Sequence, residues 1–467
     1  MKITPARFLA VLLCACAGGC TVTGEPYRQP QVSTPAAWEG EREGIEKGAW
    51  PDPQWWKRFE MPALDQLIAL AQERNHDLRA ASARVAQARA ALRTAGAGRY
   101  PALAVAAGVA RSKDGGENAE TLSALGPQAA YEFDFWGKNR YARDAANAFV
   151  NSSVYAREAL KLSLTADVAN TYFLILSLND RIGTSKNNLA NARQLLDLVN
   201  VQRRAGRVSD FEVARQRVEV SAAEAAIPAL IHQRRIAQDA LAVLLGRHFE
   251  AAQTGTESLR EARLPEGVSG VPSQLVERRP DVRQAEAALA GANANIGAAR
   301  AALFPGVTLR AEGGWRGDAA ASLFAAGSGF FSVGLDLLQV IFDGGRLRGQ
   351  VDLAIAVKTE LVEAYQQSIV VSFREVEDAL SGVEQFALQE NFLRQAVVHA
   401  REAYRLADAR YKAGAVDFTT ILDAQRALLA AEAAADPVRL ARFTSQVGLY
   451  RALGGGWKDP APAPASR

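Results

Sequence analysis

The sequence predicts a mainly α-helical protein with a membrane β-barrel part, built from a duplicated unit of helix, strand, strand, long helix and return helix. Three observations carry this. The two halves of the 467-residue chain repeat at a near-constant offset, each half holds two alternating apolar and charged segments of barrel-strand length, and each contains a 67-residue stretch without proline.

The chain opens on Lys2 and Arg7, an apolar run from Phe8 to Ala17, and Ala17-Gly18-Gly19-Cys20. This is a signal peptide over residues 1–19 with a small-residue cleavage site; its apolar run is too short for a permanent span, which needs about 20 residues. The final cysteine is similar to the bacterial lipoprotein box, which predicts Cys20 as a new N-terminus carrying palmitate and other acyl chains. Thr21 at the next position implies export to the outer membrane. Cys14 and Cys16 leave with the signal, so the mature chain forms no internal disulfide. Losing Lys2 and Arg7 leaves 52 basic against 51 acidic residues, a net of +1. The basic residues are interspersed with acidic ones, so no nucleic-acid partner is expected.

Asp77-Leu78-Arg79 answers to Asp281-Val282-Arg283, and Tyr100-Pro101 to Phe304-Pro305, at an offset of 204; Arg204-Ala205-Gly206 answers to Lys412-Ala413-Gly414 at 208. Units of this size are duplicated domains rather than solenoid repeats. The expected organisation is a lipid-anchored segment over 20–60, a first repeat over 61–247, a linker over 248–272, a second repeat over 273–457, and a disordered tail over 458–467.

Each repeat begins with an alanine-rich helix, Leu78 to Gly96 or Val282 to Ala302. Strands follow. Leu103, Val105, Ala107 and Val109 share one face of Pro101 to Arg111. In Pro127 to Phe135, Tyr131 and Phe133 oppose Glu132 and Asp134. In the second repeat Val307, Leu309, Ala311 and Trp315 oppose Thr308, Arg310, Glu312 and Arg316, and Phe331, Val333, Leu335 and Leu337 oppose Ser332, Gly334 and Asp336. An apolar outside and a polar inside suit membrane barrel strands, although a half-buried soluble sheet has the same alternation.

Lys138 to Arg204 and Arg346 to Lys412 then predict helices of roughly 100 Å. Phe386, Leu393, Val397, Ala400, Tyr404, Ala407 and Tyr411 form a coiled-coil seam, answered by Leu189, Ala192, Leu196 and Val199. Glycine closes each long helix and Ser209 or Asp417 caps its return helix, which runs to about Leu245 or Leu453. Four strands cannot close a barrel in lipid, where open edges are not tolerated. Three chains sharing a 12-stranded β-barrel, above an α-helical barrel, is the expected homotrimer.

Trp55-Trp56-Lys57-Arg58-Phe59, Val271-Pro272-Ser273-Gln274-Leu275 with Arg279-Pro280-Asp281, Ala285-Glu286, Ile296-Gly297, Phe304-Pro305 and Phe342-Asp343-Gly344-Gly345-Arg346 resemble the outer membrane efflux protein family. More narrowly they resemble the NodT-type lipoproteins among TolC-like channels, over residues 20–457. The resemblance implies a passive trimeric duct with an equatorial belt formed by the linker and tail. It needs no cofactor and works with a periplasmic membrane-fusion adaptor and an inner-membrane transporter, commonly of the resistance-nodulation-division class.

It also implies that the hairpin turns lie at the periplasmic end, where Arg204, Gly206, Ser209, Lys412, Gly414 and Asp417 are candidate adaptor contacts. Asp423 matches the family's acidic ring at the aperture, with Arg426 one turn later as its expected ion-pair partner; Thr419 stands at the apolar-ring position and departs from the pattern. Arg215 and Val218 are the first-repeat counterparts of Asp423 and Arg426. Glu132, Asp134, Arg310, Glu312, Arg316 and Asp336 are expected to face the channel lumen, their mixed signs giving weak selectivity. His76, His232, His248 and His399 have no second ligand at metal spacing, and no catalytic triad or phosphate-binding loop is present, so neither a metal site nor an enzyme is expected. A non-conducting periplasmic spacer is the alternative from another class; type I secretion and metal efflux are alternatives within transport.

Overall fold

The computed structural model describes residues 24–39, 45–47, 49–113, 120–247, 257–270 and 272–459. The signal peptide, Cys20, His248, Val271 and the expectations for 248–256 and 460–467 lie outside them. In chain order the elements are β1 (Ile45–Lys47), α1 (Pro62–Arg74), α2 (His76–Ala97), β2 (Ala102–Ser112), β3 (Glu120–Phe133), α3 (Lys138–Arg204), α4 (Asp210–Leu244), β4 (Gly267–Gly270), α5 (Pro272–Arg278), α6 (Pro280–Ala301), β5 (Gly306–Gly317), β6 (Gly329–Leu338), α7 (Arg346–Lys412) and α8 (Phe418–Ala452). Short 3₁₀ turns cover Trp55–Phe59 and Ala320–Ser322. Two compact units result. One comprises 83–154, 284–367 and the N-terminal segment up to Val32; the other comprises 33–82, 155–283 and 368–467.

In the first unit β2, β3, β5 and β6 form one antiparallel sheet in that order. Its register makes rows of like chemistry. Leu103, Ala129, Ala311 and Val333 stand side by side, as do Tyr131, Leu309 and Leu335. Leu103, Val105, Phe331 and Val333 are exposed on the protomer by 78%, 75%, 87% and 68%, far beyond what a soluble surface needs.

The second strand starts at Glu120, seven residues before Pro127, where the sequence pattern placed its beginning. Pro127 has no N–H to donate, and β3–β5 pairing skips Gly126 and Pro127 opposite Gly313 and Gly314 while the register continues on both sides. The backbones approach closely there: a Cβ on Gly126 would lie 1.8 Å from the Gly313 oxygen, and Gly314, at φ +146°, would place one 2.2 Å from the Leu125 oxygen. Glycine-proline marks an interruption inside the strand.

The second unit packs around an aromatic centre that explains the Trp55 to Phe59 motif. Trp55 lies 5.2 Å from Tyr450, and Phe59 lies 5.0 Å from Phe173 and 5.9 Å from Phe443. The seam of α7 continues through the gap between Phe386 and Leu393, but the residue filling it is Glu390, only 2% exposed. Arg394 and Arg439 reach its Oε1 at 2.5 and 2.6 Å, and Arg442 its Oε2 at 2.8 Å. Burial opposes ionisation of Glu390, yet the bonds from Arg442 and Arg439 outweigh it and hold the carboxyl below its usual range. Arg439 also donates to the carbonyls of Leu259, Arg260 and Ala262, so the carboxylate fixes the linker through one arginine. Linker residue Arg260 forks onto Asp436 at 2.7–2.9 Å. Asp459, at the end of the described residues, accepts from the Tyr155 hydroxyl at 3.0 Å and from Arg283 at 2.9 Å.

Both repeats close on themselves at matching positions. Asn75 donates to the Leu244 carbonyl at 3.0 Å, and Arg279 to the Ala452 carbonyl at 3.0 Å, each tying down the last turn of a return helix. Gly246 and Gly454, at φ +64° and +82°, follow; a Cβ would lie 2.5 Å from the Arg74 oxygen and 2.1 Å from the Arg278 oxygen. Arg279, 6% exposed, further bonds Asp281 and Glu375 at 2.7 Å each. Asn75→Ala should therefore lower unfolding stability by about 1 kcal/mol and Arg279→Leu by about 1.5–3 kcal/mol, since charge-assisted bonds are lost. Denaturant titration of the solubilised protein by tryptophan fluorescence checks this, and a smaller loss for Arg279→Leu would contradict it.

Candidate functional site

Two surfaces carry the candidate residues: the polar face of the sheet, and the end of the helices where the chain makes its two hairpin turns.

On the sheet, Arg310, Glu312 and Asp336 line one depression together with Gln128 and Ser332, and Arg316 lines its continuation with Glu312 and Phe330. Arg310 Nε bonds Asp336 at 2.6 Å, and the Arg316 guanidinium lies 4.2 Å from the Phe330 ring centre. Glu132 accepts from Lys138 at 2.6 Å, a partner the sequence reading did not name. Asp134 has a structural task besides the one the strand pattern suggests. It lies beyond the end of β3, and its carboxylate accepts from the backbone N–H groups of Asn139 at 3.0 Å and Arg140 at 2.8 Å, satisfying the first donors of α3. Asp343 does the same for Gly345 and Leu347 at the start of α7. A carboxylate ahead of a long helix is worth more as a cap than as one more strand side chain.

At the hairpin end both turns use one device. Gly206 at φ +65° and Gly414 at φ +74° take the left-handed conformation that ends α3 and α7, with open space where a Cβ would stand. The N–H of Arg207 returns to the Gln202 carbonyl and that of Ala415 to the Arg410 carbonyl, both at 2.9 Å. Ser209 caps α4, accepting from the Phe211 N–H at 3.1 Å, while Glu212 accepts from the Ser209 N–H at 2.9 Å. Asp417 caps α8 through the Thr420 N–H at 2.8 Å. The Ser209 hydroxyl lowers the Glu212 pKa, and the Thr420 hydroxyl lowers that of Asp417. Arg204 is exposed at the end of α3, and Lys412 bonds Asp408 at 2.7 Å.

Behind the turns Leu195, Val199, Val213, Ala407, Tyr411, Phe418, Ile421 and Leu422 bring the two hairpins into one small core. Asp423 and Arg426 project from it without meeting. Arg426 Nε and Nη2 bond Glu219 Oε1 on α4 at 2.9 and 2.5 Å, which corrects the expected pair with Asp423. The two stand three positions apart on one helix, but Glu219 faces Arg426 across the interface and is better buried, so it takes the guanidinium. Asp423 is exposed and has no ion pair among the described residues. Arg215, counterpart of Asp423, crosses in the other direction, donating to the Thr419 hydroxyl at 3.5 Å and standing over the Phe211 and Phe418 rings. Glu390, Glu219 and Lys138 escaped the sequence reading; the seven-residue gap in an otherwise regular seam is the signal that marks Glu390.

The family described as outer membrane efflux protein matches residues 67–247 and 271–455, one copy for each repeat. The chain is 38% identical to the "Pyoverdine export outer membrane protein OpmQ" of Pseudomonas putida, covering 92% of this chain and 94% of that protein. It is 33% identical to the "Toluene efflux pump outer membrane protein TtgC" of P. putida, covering 95% and 94%. Among solved structures it superposes on the outer-membrane channel OprN with a TM-score of 0.88 at 27% identity, covering 93% and 99%. The open-state Neisseria gonorrhoeae MtrE outer membrane channel gives a TM-score of 0.80 at 28% identity, covering 93% and 98%. A duplicated chain with a four-stranded antiparallel sheet and two long helical hairpins, matched along both repeats, belongs to the outer membrane efflux protein family.

Proposed function

We propose that three copies of this chain form a passive duct that carries small molecules across the outer membrane, handed on by a periplasmic adaptor and an inner-membrane transporter of the resistance-nodulation-division class. The observation that carries this reading is the sheet: four strands with an exposed apolar face, a polar opposite face and two edges without a partner strand within the described chain. Three such sheets supply the 12 strands of a closed barrel, its lipid side apolar and its lumen lined by Arg310, Glu312, Arg316 and Asp336. Relatives named for pyoverdine export and toluene efflux, and structural neighbours named as outer membrane channels, support reading this chain as a conduit that does no chemistry. Cys20 is its acylated anchor.

In this reading Arg204, Gly206, Ser209, Lys412, Gly414 and Asp417 meet the adaptor, and Asp423 and Thr419 line the aperture. Because Arg426 is engaged by Glu219, the three Asp423 carboxylates have no neutralising partner of their own and repel around the axis. The Arg426–Glu219 and Arg215–Thr419 bonds tie α8 to α4 and oppose that repulsion.

Single-channel recording in planar bilayers tests the duct and its aperture. Wild type should conduct weakly, Arg426→Ala should raise the conductance, and Asp423→Ala should reduce cation preference. Equal behaviour of all three would remove the aperture assignment, and no conductance in any would favour a structural spacer. A double-mutant cycle on thermal stability should give about 0.2–1 kcal/mol of coupling for Glu219 with Arg426, an ion pair exposed at one end, and none for Asp423 with Arg426.

A further inference from the structure

The N-terminal segment from Gly24 enters the sheet-bearing unit as a strap that pairs with no strand among the described residues and is held by side chains of three helices. The Gly24 N–H donates to the Tyr141 hydroxyl at 3.0 Å, and that hydroxyl lies 3.4 Å from the Gly24 carbonyl. The Tyr141 ring is bracketed by two glycines. A Cβ on Gly24 would lie 2.9 Å from it, and one on Gly297 of α6 would lie 2.8 Å from it. Gly297 of the Ile296-Gly297 motif thus makes room for this ring. Further along, Asn293 donates to the Glu25 carbonyl at 3.0 Å while Lys358 of α7 holds the Asn293 amide oxygen at 2.9 Å. Gln29 then donates to the hydroxyl of Tyr365, a side chain 1% exposed.

Tyr141 is fixed relative to the strand ends. Its N–H donates to the Gly137 carbonyl at 2.8 Å, and the preceding N–H groups are capped by Asp134, the residue after β3. Around these strand ends stands an aromatic and apolar rim: Tyr100, Phe135, Phe304, and Ile341 and Phe342 at 89% and 90% exposure, with Trp136 stacked 4.7 Å from Phe304. Such a rim marks a membrane interface. Cys20 precedes Gly24 by four residues, which reach at most about 14 Å when extended.

We propose that Tyr141 is a positioning residue for the lipid anchor: by clipping Gly24, it makes the acyl chains of Cys20 enter the bilayer beside the aromatic rim of their own protomer. The proposal rests on the reading of Cys20 as an acylated cysteine. The clip is local, so it is separable from the fold. Gly24→Val puts a branched side chain against the Tyr141 ring while every residue of α3, α6 and α7 stays as it is, and Tyr141→Phe removes both hydroxyl contacts while keeping the ring.

The test uses the full chain expressed in cells fed a diazirine-bearing palmitate, irradiated, solubilised and digested. In wild type, cross-links concentrate in peptides carrying Phe135 or Phe304. In Gly24→Val the N-terminal peptide keeps its acyl mass and the thermal midpoint holds, but cross-links scatter and trypsin cuts after Arg28 roughly tenfold faster, because cleavage follows the released population. Tyr141→Phe falls between the two. An unchanged cross-link map or unchanged Arg28 cleavage in Gly24→Val overturns the proposal. The anchor reading fails separately, by an unmodified Cys20 mass in mature wild type, which also overturns the positioning role; Cys20→Ala then shows through Arg28 protection whether the clip exists without a lipid.

Discussion

The outer edges of β2 and β6 present backbone donors and acceptors that no strand within the described chain satisfies, and the face between them is made of side chains that hydrocarbon accepts and water does not. In a bilayer each unpaired group costs several kcal/mol, so the sheet is stable only when its edges meet other edges. Most of the rest follows. A barrel assembled from copies puts one rim of each protomer at the interface, which is where the aromatic side chains gather. In the proposed assembly the polar face becomes a lumen, and on that face Arg310 pairs with Asp336 and Glu132 with Lys138.

Away from the sheet, the same economy of backbone groups governs the helices. Asp134 and Asp343 cap the starts of α3 and α7, Gly206 and Gly414 end them, Ser209 and Asp417 cap the returns, and Asn75 and Arg279 secure the far ends. The repeats are thus symmetric in how each long hairpin is terminated, and asymmetric in charge. Among the described residues, the second carries a buried carboxylate, Glu390, in its seam, and near its turn it presents Asp423 at the position where the first presents Arg215. Duplication supplied two hairpins, and charge made them different.

Much of this was legible in the sequence because it rests on periodicity and spacing. The offset of 204 to 208 located both repeats, alternation located four strands and their apolar face, and the capping residues marked both turns. What was not legible depends on contacts between elements. The early start of β3 was hidden because Ala124, Gly126 and Pro127 break the alternation that marks a strand. Arg426 looked like a partner for Asp423 because helical spacing allows it; only the register between α4 and α8 shows that Glu219 is the better acceptor. Asp134 extended a strand pattern by one step although its two backbone bonds belong to the next helix. Glu390 leaves a gap in the apolar seam whose meaning the spacing does not show, since a carboxylate is stable there only with arginines supplied by another part of the chain.

The central claim is that the sheet edges are closed by identical copies, three at a time. Native mass spectrometry of the protein released from detergent micelles tests it most directly. A complex of three chains, reverting to unfolded single chains rather than folded ones on dissociation, is the predicted result; a folded monomer or a dimer as the dominant species would contradict it.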